Sequence, residues 1–155
     1  MGWVDLSGPT AVADLEQLAR NPLLRGVRPM IQDIADPEWM LGSALAPAFE
    51  ALIGLGLTFD ALVRPAHLPY LLKLLQRFPG LRATIDHGAK PDIARGAWQP
   101  WADLIAVLAR ETGVTCKLSG LVTEAGPEWT EASVRPYADQ VLAVFGAARL
   151  MWGSD

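Results

Sequence analysis

The first residues able to do chemistry are Asp86-His87-Gly88. They stand where a short apolar run, with Ala83 and Ile85, stops and a loop carrying Lys90-Pro91 begins. A buried strand that turns polar at its end reads this way. The same ending recurs at residues 26–33 (GVRPMIQD), 58–65 (TFDALVRP), 115–120 (TCKLSG) and 150–155 (LMWGSD). In parallel α/β folds, chemistry gathers where strands end. A neutral imidazole there suits a metal ligand or an acid/base. The plain alternative for His87 is a loop or helix-capping histidine.

The other candidates follow from the same logic. His67 is the second of two histidines and also follows a strand, in Arg64-Pro65-Ala66-His67; it either faces the site or caps the next helix. Asp155 closes Trp152-Gly153-Ser154-Asp155, where a carboxylate holds a metal or takes a proton from water, or else caps a following helix. Lys117 lies inside an apolar strand and must be paired or reach a polar cavity; a structural pair with a strand-end carboxylate is the simpler account. Arg28, between Val27 and Pro29, is a good anchor for a carboxylate or sugar hydroxyls, or a partner for Asp33 or Asp5. Asp60, in mid-strand, reads as structural, and Cys116 as core.

Positioning these residues takes alternating elements. Strands are expected at residues 3–6, 27–31, 58–63, 83–86, 114–118 and 150–152. Pro29 cannot donate to a ladder and makes the second irregular. Apolar stripes of helical period separate them. They are Val12, Leu15, Leu18 and Ala19; then Leu45, Phe49, Leu52 and Ile53; then Leu68, Leu71, Leu72, Leu75 and Phe78; then Trp101, Leu104, Ile105 and Leu108 within 98–111; and last Val134, Tyr137, Ala138, Val141, Leu142 and Phe145. Repeated βα units imply an α/β fold with a parallel sheet. No G-x-G-x-x-G or Walker pattern follows any strand, which weighs against a doubly wound nucleotide-binding fold. Polar ends on several strands favour a (β/α) barrel of TIM type. A complete one takes roughly 250 residues, so about six units are expected here, in one partial domain over residues 1–155.

Bulk properties narrow the partners. The chain has 155 residues, 51% hydrophobic and 19% charged, with net charge −4. It is core-rich and argues against disorder. Thirteen scattered Lys and Arg form no basic stripe, so nucleic acid is not an expected partner. A single cysteine excludes a disulfide framework. No apolar run approaches membrane-spanning length, and the expectation is a soluble cytoplasmic protein.

Five ordered motifs together, GVRPMIQD (26–33), TFDALVRPAHLP (58–69), FPGLRATIDHGAKPDI (78–93), CKLSGL (116–121) and LMWGSD (150–155), resemble the amidohydrolase 2 family. These are TIM-barrel hydrolases that include sugar lactonases and 2-pyrone-4,6-dicarboxylate lactonase. The resemblance implies that Asp155 activates the hydrolytic water, with His87 as metal ligand or polariser of a lactone carbonyl, and His67, Arg28 and Lys117 facing a small lactone or sugar-acid substrate. It implies a divalent metal, zinc or manganese, held by His87 and Asp155 in some members, and hydrolysis without a metal in the lactonase branch. The family's opening His-x-His strand has no counterpart here. By this likeness the chain runs from the second strand to the catalytic aspartate and lacks the first. An open barrel with exposed sheet edges that invite self-association is then expected. A metal-dependent decarboxylase relative and a non-catalytic association module are the alternatives.

Overall fold

In the computed structural model, which describes residues 1–153, five parallel strands form one sheet. They are β1 (Gly26–Val27), β2 (Thr58–Ala61), β3 (Ala83–Ile85), β4 (Thr115–Leu118) and β5 (Leu150–Trp152). Each strand pairs with the next in the chain, in the order β1-β2-β3-β4-β5. A doubly wound sheet would reverse direction at a switch point; unbroken sequential order is what a barrel wall requires.

Six strands were expected and five are found. Residues 3–6 do not form a strand, because Asp5 turns the chain too early. Its carboxylate accepts hydrogen bonds from the Ser7 amide (3.0 Å) and hydroxyl (2.6 Å), an Asx turn that competes with the ladder. Only Gly2 reaches the sheet, as a single parallel bridge to Val27. The second expected strand shrinks to Gly26–Val27. Pro29 has no N–H to offer, and residues Ile31–Asp33 wind into a 3-10 turn.

Helices α1 (Ala11–Ala19), α2 (Ala46–Gly54), α3 (Leu68–Arg77), α4 (Trp101–Glu111), α5 (Leu121–Ala125) and α6 (Glu131–Phe145) occupy the connections. The apolar stripes are narrower than the sequence reading. In α2, Ala48, Phe49 and Leu52 are buried while Ile53 is exposed. In α6, Tyr137, Val141 and Phe145, four residues apart, are buried and Leu142, one position off that row, is exposed. The short α5 was not anticipated: it starts only because Gly120 enters the left-handed region (φ 66°). The core is continuous from Val4 through Phe145. Among the described residues, β5 has β4 as its only strand neighbour, and Trp152 on it is 81% exposed. No helix among them is long and apolar enough to cross a membrane.

Candidate active site

Side chains alternate across a strand, so residues two apart share a face. That rule sends Arg28, just past β1, Asp60 of β2, Asp86 at the end of β3 and Lys117 of β4 to one side of the sheet, where they meet. Asp60 accepts from Arg28 Nε at 2.8 Å and from Lys117 Nζ at 2.7 and 2.9 Å. Asp86 pairs with Arg28 Nη2 at 3.0 Å and Lys117 Nζ at 3.1 Å. Two cations and two carboxylates therefore alternate in a closed, electroneutral ring. Both carboxylates are fully buried, whereas the Arg28 and Lys117 side chains are 31% and 20% exposed. The side of the ring that can meet a ligand is cationic. Beneath it, Thr84 and Thr115 share a hydroxyl hydrogen bond of 2.8 Å.

Asp86 leads directly into the turn that carries His87. Residues His87 (φ 48°), Gly88 (φ 58°), Ala89 (φ 63°) and Lys90 (φ 51°) all adopt left-handed backbone. Three of them have a Cβ, and each costs roughly 1–2 kcal/mol in that region. Such a run persists only where its surroundings over-determine it. The turn swings the imidazole back over β4. There Nδ1 shares a 2.9 Å hydrogen bond with Ser119 Oγ, and Nε2 lies 3.6 Å from Asp86 Oδ2. Gly120 closes the other side. A Cβ on it would lie 2.7 Å from His87 Nδ1 and 2.8 Å from Cγ, so only glycine lets the β4 loop pass the ring this closely.

The expected residues thus divide. Arg28, Lys117 and His87 converge. Arg28 pairs with Asp60 and Asp86, not with Asp33 or Asp5, the partners of its alternative reading. Lys117 is ion-paired to strand carboxylates. Asp60, read from sequence as merely structural, is the centre of the ring, and Asp86 is its second anion. The alternation rule could have flagged Asp60, since Thr58 and Asp60 break an apolar run at every second place. His67 sits apart: it is buried, and its Nδ1 accepts a 3.0 Å hydrogen bond from the Arg64 amide, capping the 3-10 turn Pro65–His67. Cys116 is core; burial pushes its thiol up to about 12, so it is no nucleophile. Asp155 lies outside the described residues.

The amidohydrolase family model matches residues 1–155. The chain belongs to the amidohydrolase family. It is 51% identical, over all of its length, to L-fucono-1,5-lactonase of Burkholderia ambifaria, of which it covers 53%. Two crystal structures of an amidohydrolase from Burkholderia multivorans superpose on the whole chain, each with 57% of its own length covered. One, with bound HEPES, has a TM-score of 0.90 at 31% identity; the other, with bound zinc, has 0.89 at 34%. The chain spans about half the length of the curated relatives it matches. The incomplete barrel expected from its motifs agrees with this coverage.

For an amidohydrolase chain the question of a metal is immediate. Among the described residues no group of three or more His, Cys, Asp or Glu side chains is placed to hold one. The two buried carboxylates nearest His87 are already neutralised by Arg28 and Lys117. A dication placed on them would meet both cations at close range. These described residues do not fit a metal centre.

His67 yields a pH prediction. Burial lowers its pKa, and the nearby Arg64 charge adds to the effect. The folded state then binds fewer protons than the unfolded one, so this contribution to stability is complete above the ordinary value of about 6.5 and is lost as pH falls from there through the lowered folded value. Urea midpoints should fall between about pH 7.5 and pH 5.5 in the parent protein and fall less in His67→Gln. Equal slopes in the two proteins would remove His67 from the account.

Proposed function

We propose that this amidohydrolase chain, as part of one barrel domain, opens the ring of a small aldonolactone by hydrolysis, with L-fucono-1,5-lactone or a close stereoisomer as substrate. The observation that carries the reading is the 51% identity to L-fucono-1,5-lactonase across every residue of the chain. The geometry supports it. Arg28 and Lys117 hold partly exposed cationic heads over a neutral ring, suited to the carbonyl and hydroxyl oxygens of a lactone and to the carboxylate formed from it. In this reading Asp155 accepts a proton from water as its oxygen attacks the lactone carbonyl. The carbonyl oxygen gains negative charge, which the Arg28 and Lys117 side of the site stabilises. The ring C–O bond then breaks, and its oxygen takes up a proton to become a hydroxyl. His87 polarises the carbonyl or delivers that proton. His67, which caps its own turn, takes no part in these steps. A cytoplasmic location is compatible with this scheme, and a zinc or manganese ion would need ligands beyond the described residues.

The test is a panel of aldonolactones, followed by acid release, with the protein in its natural length and with or without Zn²⁺ or Mn²⁺. Acceleration over spontaneous ring opening, lost in Asp155→Asn, is expected. A cooperatively folded protein that accelerates none of them overturns the reading. Metal-dependent CO2 release from aromatic acids would replace it with decarboxylation.

A further inference from the structure

The left-handed turn at His87–Lys90 needs something to hold it, and the fold supplies one dominant clamp. The Trp101 indole Nε1–H donates a 2.7 Å hydrogen bond to the Gly88 carbonyl. Trp101 is 1% exposed, so this bond is shielded from water, and losing the donor would leave a buried carbonyl unpaired. The indole is itself fixed. Its ring centroid lies 5.6 Å from Trp98 and 5.3 Å from Tyr137, and those two lie 5.2 Å apart. Other contacts among the described residues help to hold the turn: the Lys90 amide bonds to the His87 carbonyl at 2.9 Å, the Lys90 ammonium bonds to Glu124 at 3.1 Å, and the Gly88 amide meets the Cys116 sulfur.

We propose that Trp101 is a positioning residue: its indole N–H holds the strained turn in the left-handed form and thereby aims the His87 imidazole at Ser119 and the mouth of the sheet. The logic is mechanical. His87, Gly88, Ala89 and Lys90 would relax towards ordinary right-handed or extended backbone if released. That relaxation rotates the His87 Cα–Cβ vector away from β4. The trio of Trp98, Trp101 and Tyr137 converts packing between α6 and the start of α4 into the direction of a side chain just past β3. Its catalytic consequence rests on the lactonase reading, but the aim of the imidazole does not.

Two substitutions separate aiming from packing. Trp101→Phe keeps an aromatic ring and deletes the donor. Ala89→Gly keeps the donor and removes one of the three left-handed penalties, so the turn needs less holding. The readout is the nitrogen and Hε1 resonances of the imidazoles at fixed pH. With only His67 and His87 in the chain, a His67→Gln spectrum assigns both. Trp101→Phe should shift the His87 signals, erase the signature of the Nδ1–Ser119 bond and leave His67 unmoved. Adding Ala89→Gly should bring the His87 signals part of the way back. With lactone as substrate, kcat should follow the same order, falling about tenfold or more and recovering with little change in KM. Unchanged His87 signals in folded Trp101→Phe, or no recovery on adding Ala89→Gly, overturns the proposal. Should Trp101→Phe not fold, site-specific benzothienylalanine at 101, which has the shape of tryptophan with sulfur in place of N–H, makes the same comparison. If the signals move as expected while no lactone is turned over by any form, Trp101 keeps this role and the lactonase reading falls.

Discussion

Asp60→Asn should lower the unfolding free energy by about 3 kcal/mol, near the lower end of the 3–5 kcal/mol typical for a broken buried ion pair. Asp60 is fully buried and, among the described residues, is the only one that hydrogen-bonds both cations of the ring, Arg28 at 2.8 Å and Lys117 at 2.7 Å. An asparagine keeps the volume and loses the charge. Arg28 and Lys117 then share Asp86 alone, leaving one positive charge in excess. Their partial exposure lets water relieve some of that excess, hence the lower end of the range. The ring's neutrality makes a sharper expectation. Asp60→Asn together with Lys117→Met removes one charge of each sign and leaves Arg28 with Asp86, an intact pair at 3.0 Å. The double variant should be more stable than the sum of the single changes by about 1–3 kcal/mol. Urea unfolding of the four proteins at neutral pH measures this. Strict additivity, or a loss under about 1 kcal/mol in Asp60→Asn, would mean that the ring is not a unit.

That ring also marks the boundary of what the sequence discloses. The parallel α/β order, the helix stripes and the strand-end place of His87 are written locally, in periods of two and of 3.6 and in polar punctuation. Lys117 declared by its apolar neighbours that it needed a partner. It could not name one, because Asp60 is 57 residues away and their meeting depends on the register of three strands. Residues 3–6 show the opposite failure. Their alternation is real, with Val4 and Leu6 buried, yet the Asp5 turn outcompetes the ladder. The left-handed run was hidden for a simple reason. Glycine and asparagine advertise positive φ, and here histidine, alanine and lysine adopt it in a turn tied to Trp101, 13 residues on from Gly88. The narrow burial in α2 and α6 is likewise set by what lies opposite each helix, which a stripe of apolar letters does not state.

His87→Asn should leave the fold intact and cut kcat/KM for aldonolactone hydrolysis by about 10²–10⁴, the usual contribution of a positioned acid, base or polarising imidazole. The replacement is chosen for the backbone. Position 87 sits at φ 48°, ψ 41°, and asparagine tolerates that region better than other residues with a Cβ. Its amide also still reaches Ser119, so the partner across the turn is not stranded. What vanishes is the second ring nitrogen, the one that lies beyond Nδ1 and faces the site. A loss carried by chemistry should therefore appear with an unchanged melting curve. Ser119→Ala isolates the other half of the arrangement. It keeps the imidazole but deletes its 2.9 Å partner, so the ring loses orientation without losing function. A fall of about tenfold is expected there, one residual hydrogen bond's worth of about 1.4 kcal/mol. The order His87→Asn well below Ser119→Ala, both folded, is what an aimed imidazole requires. If His87→Asn retains activity within about threefold of the parent, the imidazole is not part of the reaction, and the strained turn must serve the fold alone.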